Sequence, residues 1–354
     1  MKAVLGLDDG TILTGNGFGI EGSVTGELVV SLISNGYMGT LSDPNTAGQL
    51  VMFGYPLIGN YGVNTDEFQS DKVHAAGTIV HELCLYPKHT PNLYEYFKSH
   101  DLIGIEGIDT RMLTVKLRDH GVMNATIITG SDDGQKAVTL SQQSPINEHK
   151  DLVRDVTCKK PYHISGSGKK VAVLDLGCRS SILTSLHNRG ADLYVYPYDT
   201  PYDVILSDNP QSVLLTNGPG NPNSISKTVQ TIKNLVGNIP SLIGIGMGAN
   251  IIAVALGCET EKLKFGHRST NQPVKFQDGS ITVTTQSHGY VIDPNSVPTD
   301  CNISCTNLND HTIEGFTNTD LNINCVMFYP EPTAVYDPTE KPIYDTMYRG
   351  IPDA

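Results

Sequence analysis

The stretch Gly244-Ile245-Gly246-Met247-Gly248 constrains this chain more than any other. A strand-like run, Pro240-Ser241-Leu242-Ile243, leads into it, and a helix-like run, Ala249 to Leu256, follows. Strand, Gly-x-Nuc-x-Gly turn and helix make a nucleophile elbow. Its glycines let the chain reverse sharply and let the helix pack close to the strand. The helix N-terminus behind the turn favours a thiolate or an oxyanion. The nucleophile position is Gly246, which carries no side chain. The architecture of a covalent catalyst is present without its reactive atom.

The chain around this turn is long enough for two domains. It has 354 residues, 39% hydrophobic and 17% charged, as a water-soluble globular protein does. A net charge of -13 with no local basic patch argues against a nucleic-acid partner. No apolar run reaches membrane-spanning length, and the first residues meet Asp8-Asp9 too early for a signal peptide. The seven cysteines are scattered, without a CxxC pair, which fits reduced thiols in the cytoplasm. Cys301-x3-Cys305 has no second ligand pair nearby, so no metal is expected.

Residues 1–133 read as a mixed, β-rich domain. Gly26 to Ile33 and Gln49 to Phe53 look like strands. Leu93 to Ser99 and a stretch capped by Asp109 or Thr110 and ended by Gly121 look like helices. Residues 134–169 read as a partly helical connector ending in Ser165-Gly166-Ser167-Gly168. A phosphate loop at Gly168-Lys169 fails, since its first glycine falls on His163 and its Ser/Thr on Lys170. Residues 170–354 alternate strands and helices, beginning with Val171 to Leu176, and point to a parallel α/β domain. Ligands then sit beyond the carboxyl ends of the strands. The loop Asn217-Gly218-Pro219-Gly220, the Gly246 turn and a loop near Tyr329 should converge there.

Several motifs are more specific. They are Asn35-Gly36-Tyr37, Ser42-Asp43-Pro44, Tyr55 to Gly62, Ile108-Asp109-Thr110-Arg111, Asn217 to Gly220, Lys264 to Arg268, His288 to Asp293 and Pro330-Glu331. In order and spacing the chain resembles the small subunits of carbamoyl phosphate synthetases, with a second half of class I glutamine amidotransferase type. The resemblance implies a first domain that docks on a large subunit. It also implies a second domain that hydrolyses glutamine and passes ammonia on, for carbamoyl phosphate used in pyrimidine and arginine synthesis. ATP and Mg are then expected on the large subunit, and no cofactor in this chain. In the family a Cys on the elbow attacks glutamine, and a His held by a Glu two residues later activates it.

Here the Cys position is Gly246 and the His position is Tyr329, so only the acid, Glu331, is retained. A phenol, with a pKa of about 10, is a poor base at neutral pH. The glutamine pocket implied by the resemblance comprises Asn45, Gly218, Gly220, Met247, Asn250, Ser287, Gly289 and Tyr290. It departs from the family at Asn250 (Gln expected), Ser287 (Asn expected) and Asn45 (Ser expected). Binding of glutamine is therefore doubtful. Cys178 and Cys258 read as small buried apolar residues. His288 reads as a loop-ordering residue, and His267 with Arg268 as a structural or subunit-contact pair. Three functions stay open: a small subunit with a dead glutaminase whose complex uses free ammonia, a stand-alone binding or regulatory module, and a glutaminase of unusual mechanism.

Overall fold

Strand β1 (Lys2–Leu7) is buried on both faces, and the first unit is built around that burial. Val4 clusters with Ala137 and Ile128. Gly6 lies so close to the same helix, Gly134–Gln143, that a Cβ there would meet Val138 N at 2.5 Å. By alternation Ala3, Leu5 and Leu7 turn the other way, into a barrel. In the computed structural model, which describes residues 1–144, 150–330 and 342–352, the chain divides into units Met1–His149 and Lys150–Ala354.

After β1 the first unit contains β2 (Ile12–Gly19), β3 (Gly22–Ser31), β4 (Gln49–Phe53), β5 (Leu57–Ile58), β6 (Gly77–Ile79), β7 (Glu82–Leu83), β8 (Ile103–Glu106) and β9 (Met123–Thr129). Seven of these strands close a barrel in the order β1-β2-β8-β6-β4-β3-β9, while β5 and β7 form a separate parallel pair. Closure leaves the barrel no free edge. The helices expected from sequence are present at Leu93–Ser99 and Thr110–His120. The second is capped by Asp109 Oδ1, which accepts from Met112 N at 2.8 Å. The helix Gly134–Gln143 is tied to the barrel by the buried Ser141 hydroxyl. It donates to the Gly6 carbonyl at 2.8 Å and lies 2.9 Å from Thr126 Oγ1. The stretch read as a connector thus begins inside the first unit.

The second unit holds one ten-stranded sheet, ordered β10-β12-β11-β13-β14-β19-β18-β17-β15-β16. Its strands are β10 (Tyr162–Ile164), β11 (Lys170–Asp175), β12 (Asp192–Pro197), β13 (Ser212–Leu215), β14 (Leu242–Ile245), β15 (Thr260–Phe276), β16 (Ile281–Ile292), β17 (Asn302–Asn307), β18 (Ile313–Asn318) and β19 (Ile323–Val326). Strands β12, β11, β13, β14 and β19 are the expected parallel core. Alternate residues feed two hydrophobic layers. Ala172, Leu174, Val213 and Leu215 pack with the helices Ser226–Leu235 and Met247–Ala255. Val171, Val173, Leu214 and Ile243 pack with Ser180–Asn188 and Pro342–Arg349. Burial on both faces explains the near-continuous apolar reading of these strands. Beyond β19 the sheet turns antiparallel and ends in the long β15–β16 hairpin. No helix among the described residues is long and apolar enough to cross a membrane.

Replacing Ser141 by Ala removes the donor that ties the helix to the Gly6 carbonyl. A loss of about 1–2 kcal/mol is expected in the urea unfolding of the full chain. An unchanged midpoint would mean that this helix is not part of the barrel unit.

Candidate functional site

Strands β13, β14 and β19 are neighbours, so the loops at their carboxyl ends meet. The turn after β14 is pinned by Gly246 N, which donates to the Val326 carbonyl at 2.8 Å. Gly246 has φ 56° and ψ −113°, a backbone state that L side chains enter only under strain. It sits at the N-terminus of the helix Met247–Ala255. A Cβ at 246 would have Asn217 Cβ at 3.5 Å and the Met327 carbonyl at 3.8 Å, which is ordinary contact. A β-carbon therefore fits at 246 without a clash.

The flanking glycines have a different cause. A Cβ on Gly248 would lie 2.3 Å from the Leu215 carbonyl, and one on Gly244 would lie 2.8 Å from Ala249 N and Cα. Both let the helix press against the sheet. Gly218 is held in the same way, with the Leu176 carbonyl 2.2 Å from where its Cβ would stand. Gly220 has φ 91°. The loop after β13 thus has structural reasons for its glycines, whatever ligand it meets.

Tyr329 lies on the loop after β19 and is 3% exposed. Its N–H donates to the Thr285 carbonyl at 2.9 Å, and its ring packs in the layer that holds Phe328 and Ile182. The Arg179 guanidinium stands over that ring, 4.2 Å from its centroid, a cation–π contact. Arg179 N in turn donates to Asn217 Oδ1 at 3.3 Å. The residue at the base position is thus packed as part of the core.

Met247 and Asn250 are buried on the elbow helix, and Asn250 Oδ1 has no hydrogen-bond partner. Ser287 lies opposite Arg268 in the β15–β16 ladder. A Cβ on Gly289 would be 3.0 Å from Arg268 Nη2. Tyr290 follows, its carbonyl 3.1 Å from His288 Nδ1. Asn45 lies in the first unit, on the turn Pro44–Thr46, where its N–H donates to Asp43 Oδ1 at 3.0 Å. Glu331 lies outside the described residues.

The buried thiols Cys258 and Cys325 are not prepared for nucleophilic attack. Burial pushes the Cys258 thiol up to about 11 and Cys325 well above the usual range, so neither supplies a thiolate at neutral pH. Cys158 is raised to about 12 by burial and by the Asp175 carboxylate.

His267 and His288 are both buried, and His288 lies within strand β16 rather than on a loop. Sequence reading missed their partners. Glu314 is fully buried on β18, with Oε1 at 3.2 Å from His267 Nδ1, and Asp310 Oδ2 lies 2.8 Å from His267 Nε2. Burial pushes the Glu314 carboxyl up, but His288 and His267 outweigh it and hold the group down at about 2. Burial likewise pushes His267 down, while Glu314 and Asp310 raise it by more. The available signal was a single acid inside the apolar run Ile313-Glu314-Gly315-Phe316.

Two glycines of one turn should respond differently to a methyl group. Gly246→Ala is expected to cost about 1 kcal/mol, from backbone strain alone. Gly248→Ala is expected to reach or exceed the top of the usual range of about 1–3 kcal/mol for overpacking, because its methyl meets a backbone carbonyl. Urea midpoints of the two variants check the order, and a reversed order would contradict the assignment.

Known proteins share this organisation. Residues 5–127 match the family model described as carbamoyl-phosphate synthase small chain, CPSase domain, and residues 172–341 match glutamine amidotransferase class-I. The chain is 43% identical over 365 residues to the carbamoyl phosphate synthase small chain of Methanosarcina mazei, covering 99% of each. It is 42% identical to the Archaeoglobus fulgidus small chain, covering 94% of each. It is 40% identical to that of Bacillus cereus, covering 94% of this chain and 92% of that one. With the barrel unit, the elbow-bearing α/β unit and this identity along nearly its whole length, the chain belongs to the family of carbamoyl phosphate synthase small chains.

Proposed function

We propose that this chain is the small subunit of a carbamoyl phosphate synthase that takes free ammonia as its nitrogen donor. ATP and Mg act on the large subunit, and this chain serves as its structural or allosteric partner. The observation that carries the reading is Gly246, a residue without a side chain at the turn where the attacking atom belongs. Where catalytic residues act as a unit, loss of the nucleophile alone removes nearly everything the unit contributes. Tyr329 adds to this, since its ring is packed under Arg179 and a phenol is a weak base at neutral pH. Asn250 supports a loss of glutamine recognition, its amide one methylene shorter than the Gln expected from the family.

The buried Asn250 Oδ1 favours a second reading, in which the old pocket holds a small ligand with an N–H donor. The chain is then a binding or regulatory module. That reading predicts calorimetric binding of glutamine or a close analogue without hydrolysis, and a chain that purifies without a large subunit.

The deciding experiment uses the complex copurified with its large subunit and compares glutamine with ammonium. Ammonium is expected to drive carbamoyl phosphate synthesis, and glutamine to support less than about 1% of that rate. Comparable rates would overturn the proposal. A Gly246→Cys, Asn250→Gln, Tyr329→His variant should regain measurable ammonia release from glutamine, because a β-carbon at 246 meets no clash. A folded variant that stays inert would mean that the pocket differs at further positions.

A further inference from the structure

A second polar cluster in the α/β unit has no role at the elbow. His267 on β15 and His288 on β16 are directly opposite in the antiparallel ladder, and Glu314 on β18 reaches the same point. One nitrogen from each ring and one carboxylate oxygen lie within 4.8 Å of one another. The outer ring nitrogens are committed elsewhere. His267 Nε2 faces Asp310 Oδ2 at 2.8 Å, and His288 Nδ1 faces the Tyr290 carbonyl at 3.1 Å. An ionised carboxylate and a carbonyl only accept, so in neutral rings the outer nitrogens carry the protons. The inner nitrogens face the Glu314 carboxylate, whose Oε1 lies 3.2 Å from His267 Nδ1 and accepts from Asn307 Nδ2 at 3.3 Å. His288 Nε2 and Glu314 Oε2 make no hydrogen bond. Nor does Gln286 Oε1, two residues earlier on the same face of β16. Three buried polar atoms of one cluster without partners are what a cation placed among them would satisfy.

The geometry points to a divalent transition-metal ion held by His267 Nδ1, His288 Nε2 and the Glu314 carboxylate. Zinc bonds to imidazole nitrogen and carboxylate oxygen at about 2.0–2.2 Å, which makes the edge of its tetrahedron about 3.4 Å. The two N···O separations bracket that edge, at 3.2 Å from His267 and 3.6 Å from His288. The longer one exceeds the reach of an imidazolium–carboxylate hydrogen bond. The outer partners fit as well, since a ligating imidazole almost always donates its other N–H to a carboxylate or carbonyl. Two His and one Glu are a set that zinc uses. The ion's two charges balance those of Glu314 and Asp310. So enclosed an ion is structural. It ties β15, β16 and β18 together and, through the Tyr290 carbonyl, steadies the backbone next to Gly289.

The test measures metal in the untagged full-length chain, then strips it with a chelator and titrates Zn2+ and Co2+. One equivalent per chain is expected, with the visible absorption of tetrahedral Co2+ in a nitrogen and oxygen field. Zn2+ should raise the thermal midpoint by about 5 °C or more. His288→Ala should abolish the equivalent. Asp310→Asn, which leaves all three ligands in place, should weaken Zn2+ affinity about 10- to 100-fold and leave the far-ultraviolet circular dichroism unchanged. The Asp310 variant keeps the test decisive if His288→Ala fails to fold. A wild-type chain without metal and without a Zn2+-dependent shift overturns the proposal. So does Zn2+ bound equally by the variants, which would place it on thiols. Nitrogen-15 spectra with both rings doubly protonated would assign the positive charge to protons and overturn it too.

Discussion

The helix Met247–Ala255 lies against the sheet only because two backbones touch where side chains are missing. Gly248 faces the Leu215 carbonyl and Gly244 faces Ala249, at separations that no Cβ could occupy. That contact sets the rest of the site. It aims the helix N-terminus at Gly246 and goes with the sharp reversal at φ 56°. None of these requirements depends on what residue 246 carries. The turn is set by sheet–helix packing, and glycine is the residue that holds such a φ with least strain.

The same division between backbone and side chain runs through the neighbouring loops. Gly218 is needed by the Leu176 carbonyl, so its presence is no evidence for a ligand. Tyr329 holds its place by its N–H to Thr285, by packing, and by the cation above its ring. An imidazole there would need a partner for each nitrogen, whereas a phenol ring buries more apolar surface. Residue 329 is thus placed by packing and by its backbone hydrogen bond. A further buried carboxylate, Glu314, lies away from this turn among His267, His288 and Asn307.

Much of the parallel core was legible. Val171 to Leu174 is an unbroken apolar run because both of its faces are covered. The helix at Thr110–His120 was marked at its start by Asp109 and at its end by Gly121. Barrel closure was not legible, since it rests on pairs such as Ala3 with Thr129 that no local pattern announces. The β15–β16 hairpin was hidden for another reason. Its strands are half exposed and carry many polar residues, so the apolar alternation that marks a strand is weak. The site divided along the same line, with the elbow readable as a contiguous motif and the partners of His267 unreadable.

What the sequence determined by itself is that residue 246 offers no side-chain atom and residue 329 a phenol, because the atoms a side chain offers belong to the residue whatever the fold. Only the tertiary structure decided that His267, Asp310 and Glu314 share one place, the carboxylates lying 43 and 47 residues along the chain from the imidazole. Burial and distance are properties of the folded chain. They make a lone acid in an apolar strand the partner of two imidazoles, and they show that the glycines flanking residue 246 are required by the close contact of helix and sheet.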